Sequence, residues 1–235
     1  VSGVDQRVES LPWPAEWKRN DKREQKYRAR GSDGIEVVWV DFDGIGEQGL
    51  LVPGVRPTKL QGILFTLVGG LFSAAVLASV PGIVIDREWK AIGGMLCVGV
   101  FAALMLLLGM HFWRHASSKH LPGLRLTPTR VIQGGYDGGH VAMRWDDVAR
   151  VRPFLYAGAN SRQWWNSFAI EVHDLAAVLN RLGAKSLRLH RMANGPAAVT
   201  LRDNHLAVHP LLAYHLVRYY FDNPADRPNI TQALA

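Results

Sequence analysis

A chain of 235 residues with 27 basic and 20 acidic side chains, formally +7 at neutral pH, is long enough for one or two domains. Its single cysteine, Cys97, excludes an internal disulfide, a haem-attachment cysteine pair and a zinc-type cysteine set. Residues 1–59 carry as many acids as bases, so the positive excess lies beyond the apolar middle of the chain, from Arg114 onward.

The first segment, 1–59, contains a basic run of Lys18, Arg19, Lys22, Arg23, Lys26, Arg28 and Arg30, diluted by Asp21 and Glu24. Beside a membrane such a run contacts anionic headgroups, about 1 kcal/mol per basic residue. Otherwise it is a solvated helix or a disordered stretch, and both readings stay open. No nucleic-acid-binding motif accompanies the charge, so no nucleic-acid partner is expected. After the turn signal Gly31-Ser32-Asp33-Gly34, the β-branched and aromatic residues of 35–42 predict a strand. Gly44, Gly46, Gly49, Pro53, Gly54 and Pro57 then predict an irregular approach to the apolar middle. A lone strand is unstable, so residues 35–42 are expected to pair with the C-terminal region, another chain or a partner protein.

No Asp, Glu, Lys or Arg occurs in Leu60–Ile85 or in Ala91–Trp113. Each run exceeds the roughly 20 helical residues that cross a hydrocarbon core about 30 Å thick. Residues 60–113 therefore predict a transmembrane helical hairpin, with spans 60–85 and 91–113. The first run starts too far from the N-terminus, and both are too long, for a cleaved signal sequence. Arg56 and Lys59 precede the hairpin, Arg114 and Lys119 follow it in the basic junction 114–120, and the connector 86–90 is neutral. The positive-inside rule then puts both termini in the cytoplasm, in the plasma membrane, with Trp89 and Trp113 as interfacial anchors. Gly70, Ala74 and Ala78, and Gly99 and Ala103, recur at four-residue spacing and are the expected surfaces of close helix packing, within the hairpin or against a partner helix.

Residues 121–235 read as a β-rich domain. Strands are expected at 124–127, 129–132, 141–145, 148–152, 168–172, 186–191 and 198–201, with a Gly-rich loop at 134–139 and an Asn194-Gly195 hairpin turn. Asp174 is placed to cap a helix over 175–182, ended by Gly183. A last helix opens at Pro210 and runs to Asp222, with Leu212, Leu216 and Tyr219 along one face and Pro224 stopping it.

Three pieces of this half, Leu126-Thr127-Pro128-Thr129-Arg130-Val131, Arg144-Trp145-Asp146-Asp147-Val148-Ala149-Arg150-Val151 and Leu206-Ala207-Val208-His209-Pro210-Leu211-Leu212, resemble a bacterial pleckstrin-homology-like domain. The resemblance covers about 121–223 and, with the hairpin, extends to two-span membrane proteins of actinobacterial type. It implies an α+β membrane protein: a two-helix hairpin plus a bent β-sandwich in the cytoplasm, closed at one end by a C-terminal helix. It also implies protein–protein docking or self-assembly at the membrane without catalysis. The helix near 175–182 departs from the simplest form of that fold. Phosphoinositide binding does not carry over, because no matching basic loop is present.

Motifs for chemistry are weak. Asp41-Phe42-Asp43-Gly44 after a hydrophobic strand looks like the nucleophile motif of haloacid-dehalogenase-type phosphatases. That chemistry needs a parallel αβ sheet with a downstream lysine, a hydroxyl residue and further acids. Asp146 and Asp147 are separated from it by both spans. His111 and His115, four apart on one helix face, are the best metal or redox candidates. The Gly-rich loop lacks the lysine of a phosphate-binding loop. Trp164 and Trp165, in a polar stretch, fit core packing, headgroup contact or a partner anchor. The expectation is a non-catalytic, cofactor-free interaction or scaffold protein, an accessory subunit of a larger membrane complex or a self-oligomer. Alternatives are an anionic-lipid-responsive surface built from Lys18, Arg19, Lys22, Arg23, Lys26, Trp164 and Trp165, or a ligand-bearing subunit using His111 and His115.

Overall fold

The structure, a computed structural model, describes residues 11–19, 21–30, 34–56, 58–86, 92–118, 122–134, 140–157, 164–179 and 197–234. Trp89, Lys119, the strand expected at 186–191, the Asn194-Gly195 turn and Gly183 lie outside these residues. The chain forms two compact units, one of Val1–Val55 with His120–Ala235 and one of Arg56–Lys119. The regions on either side of the apolar segment, separate along the sequence, therefore fold together in space.

The first unit begins with helix α1 (Asp21–Arg28) and the antiparallel hairpin of β1 (Glu36–Phe42) and β2 (Ile45–Pro53). Its turn residues, Asp43 (φ 55°) and Gly44 (φ 73°), are both left-handed, which matches a two-residue hairpin turn to the twist of the flanking strands. β2 overturns the expected irregular approach. Its glycines are points of close contact within a strand. A Cβ on Gly46 would meet the Trp39 ring at 2.6 Å, and one on Gly49 the Leu126 carbonyl at 2.5 Å. Leu50, Leu51 and Val52 that follow are buried.

β2 then pairs antiparallel with β3 (Gly123–Leu126), in register from Leu50↔Leu126 to Pro53↔Gly123. The expected partner of the N-terminal strand is thus the C-terminal region, reached through β2. β4 (Arg130–Gly134) and β5 (His140–Arg144) complete a five-stranded sheet in the order β1-β2-β3-β4-β5. After a 3-10 turn at Trp145–Asp147, β6 (Val148–Ala157), β7 (Trp164–Val172) and β8 (Val199–Arg202) form a three-stranded antiparallel sheet. Between β7 and β8 lies α2 (Leu175–Leu179), whose start is capped as expected: Ala177 N donates to Asp174 Oδ1 at 3.0 Å. The terminal helix, α3 (Pro210–Asp222), has Pro210 at its first position and is followed by 3-10 turns over Pro224–Leu234.

The core lies between the two sheets and α3. Leu50, Val52, Leu124 and Leu126 of the larger sheet share it with Phe168, Ile170, Val199 and Leu201 of the smaller one. Burying each such side chain contributes about 1.5–3 kcal/mol. The helix face differs from the expected one. Ala213, Tyr214, Val217 and Tyr220 are buried, whereas Tyr219 is 49% exposed and Leu212 and Leu216 are only partly covered. Ala213 and Val217 form a short-side-chain row that lets the helix sit close to the sheets, and the two tyrosines fill the flanks.

The second unit is two helices, Lys59–Asp86 and Ile92–Ala116, matching the expected apolar runs. Both are long and apolar enough to cross a membrane, with mean hydropathy 2.2 and 2.4 over their candidate spans, and they bury little of themselves. Leu60, Leu67, Leu71 and Leu77 are each 60–72% exposed, unlike the leucines of a soluble core. Close packing uses Gly62, Gly69, Ala102 and Gly109: a Cβ on Gly69 would lie 2.8 Å from Leu106 Cγ. Phe65 stacks on Phe112 at 5.3 Å and Phe72 meets Phe101 edge-on at 5.1 Å. The small residues singled out in the sequence lie elsewhere: Gly70 and Gly99 face open space, and Ala74, Ala78 and Ala103 are exposed. Thr66, Ser73 and Ser79 satisfy their hydroxyls on carbonyls four residues back.

Gly69→Val is expected to destabilise helix pairing by about 1–3 kcal/mol through overpacking, whereas Gly70→Val leaves it unchanged. Crosslinking between cysteines placed on the two helices, in detergent or bilayers, reads the difference.

Candidate interaction surface

The basic run is divided by its own helix geometry. α1 turns Arg23 and Tyr27 inward and leaves Lys22 and Lys26 at the surface. Their partner is Asp203, a buried carboxylate just after β8. Arg23 Nη1 donates to Asp203 Oδ2 at 2.8 Å, the Tyr27 hydroxyl donates to the same oxygen, and Asn166 N does so at 3.3 Å. Arg30 reaches the carbonyls of Asp203 and Leu206, and Arg23 also donates to the Trp164 carbonyl. Burial, reinforced by the hydrogen bond to Asp203, raises the Tyr27 pKa far above the usual phenol range, so its proton is held at every ordinary pH.

The chain before α1 is strapped to β7. Lys18 and Asn166 exchange reciprocal hydrogen bonds at 3.0 Å, and the Trp17 indole donates to the Ser167 carbonyl at 2.8 Å. Trp13 stacks on Tyr27 and Trp17 packs against Tyr214. The Lys18 ammonium lies over the Trp164 ring, and Arg19 pairs with Glu24. Trp164 and Trp165 therefore belong to β7 and not to a loop. Trp165 leans on Tyr156, whose ring also carries the Arg202 guanidinium at 3.6 Å. Sequence reading missed Asp203, because nothing local marks an acid whose partners Arg23 and Tyr27 lie more than 170 positions away.

In the helical unit, Trp113 is 49% exposed and Arg114 lies in the last turn of its helix. His111 and His115 bring their rings within 4.1 Å of each other, and no group of three or more metal-capable side chains occurs among the described residues.

A cleft of about 360 Å³ opens at the end of the larger sheet opposite Pro53 and Gly123. It brings Asp43 near Asp146, Asp147 and Asp174, residues far apart in sequence. Three of these acids hold local structure. Asp147 accepts the Arg144 amide at 3.1 Å, Asp174 caps α2, and Asp146 pairs with Arg227 at 3.6 Å and Arg144 at 3.8 Å. The sheets that carry them are antiparallel throughout, not the parallel αβ platform of the phosphatase reading.

The most exposed large apolar side chain described in the β domain is on β1. This is an edge strand, and its Trp39 is 69% and Val37 46% exposed. The sequence marked this strand but not its outer face.

Two carboxylates tie strands or turns together and set the response to acid. Burial alone would raise Glu171, but hydrogen bonds from Arg150 at 2.5 Å and Arg152 at 2.8 Å outweigh it and hold its pKa below the usual range. Glu47 is likewise lowered, burial being opposed by bonds from Thr129 and Thr127. A depressed folded-state pKa gives stability that is present above the unfolded value, about 4.3, and is lost as pH falls through the folded value. Thermal melts of the full chain should weaken below about pH 4.3, and Glu171→Gln should flatten that dependence.

Asp203→Ala leaves Arg23 and the Tyr27 hydroxyl without their shared acceptor and should cost about 3 kcal/mol. Tyr27→Phe should cost only about 1 kcal/mol. Both are read by chemical denaturation with tryptophan fluorescence.

No protein-family model, curated protein or solved structure matches this chain.

Proposed function

We propose that the chain is a non-catalytic, membrane-anchored interaction protein, an accessory subunit of a larger complex in a bacterial plasma membrane. One observation carries the reading: an apolar helical hairpin with its leucines turned outward joins two neighbouring strands of a β domain. Leucines so exposed are stable when lipid tails cover them. Pairing of β2 with β3 requires both ends of the hairpin on one side of the membrane, in keeping with an even number of crossings. The flanking bases Arg56, Lys59 and Arg114 favour the cytoplasm for that side.

Four strands, β2 to β5, facing three, β6 to β8, with α3 closing the sandwich, support a pleckstrin-homology-like architecture. On that reading β1 is an added edge strand, and the membrane hairpin occupies the loop between the first two strands of the fold. Such a module binds; the exposed β1 and the acid-lined cleft are its open surfaces.

A second reading, contact with anionic lipid, is favoured by Lys22 and Lys26, which stay at the surface of α1. Liposome association should then rise with anionic lipid and fall with salt, and the double change Lys22→Glu/Lys26→Glu should abolish that trend.

Crosslinking of the chain in native membranes, followed by mass spectrometry, should return defined partners at fixed stoichiometry, from a pellet that resists alkaline washing. A protein that stays in the supernatant without detergent, or is purely monomeric in the membrane, would falsify the proposal.

A further inference from the structure

We propose that the outer edge of β1 takes up an extended, basic segment of a partner protein as an added strand. The inference rests on the reading of the chain as an interaction protein and names what its surface receives.

The geometry follows from register. The Asp43-Gly44 turn makes Phe42 and Ile45 a hydrogen-bonded pair. Alternation then directs the amides and carbonyls of Phe42, Val40, Val38 and Glu36 to β2. Those of Asp41, Trp39 and Val37 point the other way, to the sheet's outer edge. β1 is terminal in its sheet, and none of these three backbones takes a partner among the described residues. An incoming strand finds a ready row of donors and acceptors there.

The side chains choose the occupant. Trp39 is 69% and Val37 46% exposed on one face, which gives an apolar anchor. Glu36 and Asp41 are exposed along the same strand. The nearby base, Arg130, lies at the strand's end, donating to the Phe42 carbonyl at 3.4 Å. An anionic lipid surface is repelled by these carboxylates. A second copy of β1 brings no base to this edge, since antiparallel pairing about Trp39 sets Asp41 opposite Val37 and Glu36 opposite Phe42. A segment alternating apolar and basic residues pairs with the backbone and, with its bases on the face of Val37, Trp39 and Asp41, lays ammonium groups beside Asp41 and the Trp39 ring.

The test uses the full chain in nanodiscs of neutral lipid and short fluorescent peptides alternating valine with lysine or valine with glutamate. The lysine peptide should bind saturably and the glutamate peptide should not. Val37→Pro removes one outward amide while keeping the bonds to β2, and should weaken binding about ten-fold. Glu36→Lys/Asp41→Lys, at exposed positions that leave the fold intact, should reverse the preference between peptides. Equal binding of both peptides, or a preference unmoved by the charge reversal, overturns the inference. If partners still crosslink in native membranes under that outcome, only the β1 site falls; if no partner crosslinks, the underlying reading falls as well.

Discussion

The ladder between β2 and β3 is the contact on which the architecture depends. It joins residues on opposite sides of the entire helical hairpin, and the chain is pinned again just beyond it. Gly54 N donates to the Pro122 carbonyl at 2.9 Å and Val55 N to the His205 carbonyl at 2.9 Å. Closing a long flexible loop costs entropy that grows with the logarithm of its length. Here the loop is two helices already held together by stacked phenylalanines and close glycine contacts, so its ends stay near each other. Packing within the hairpin thus lowers the cost of completing the sheet.

The N-terminal segment is a working part of the β domain. Its basic run has a split role that amphipathic geometry assigns. Arg23, Tyr27 and Arg30 converge on the Asp203 region, and Trp13 and Trp17 add aromatic cover. A buried ion pair of this kind contributes little net stability when intact but is costly to break from one side. It specifies where the strap lies more than how tightly it holds.

Much of the architecture was legible in sequence because it rests on local signals. Uncharged runs mark the two long helices, alternation marks β1 and the end of β7, and Asp174 and Pro210 mark helix starts. What escaped depends on contacts distant in sequence. β2 looks irregular because its glycines read as breakers until Trp39 and Leu126 occupy the space they leave. The packing residues within the hairpin differ from the expected ones because several small-residue rows coexist on each apolar helix, and only contact distinguishes Gly69 from Gly70. The face of α3 was misassigned because leucines outweigh alanine and valine in any hydropathy count. Asp203 and the outer edge of β1 carry no motif. One acts through partners far along the chain, and the other is defined by a sheet edge that takes no neighbour among the described residues.

Interrupting a sheet with an apolar hairpin also orders its synthesis. β1 and β2 leave the ribosome before the hairpin, and β3 only after it, so Leu50 and Val52 have no core to enter until the helices are made. On the membrane reading, a nascent chain whose hairpin stalls halfway strands β3 on the wrong side of the bilayer. The half-built domain then exposes its core to quality control, and correct insertion becomes a precondition for maturation.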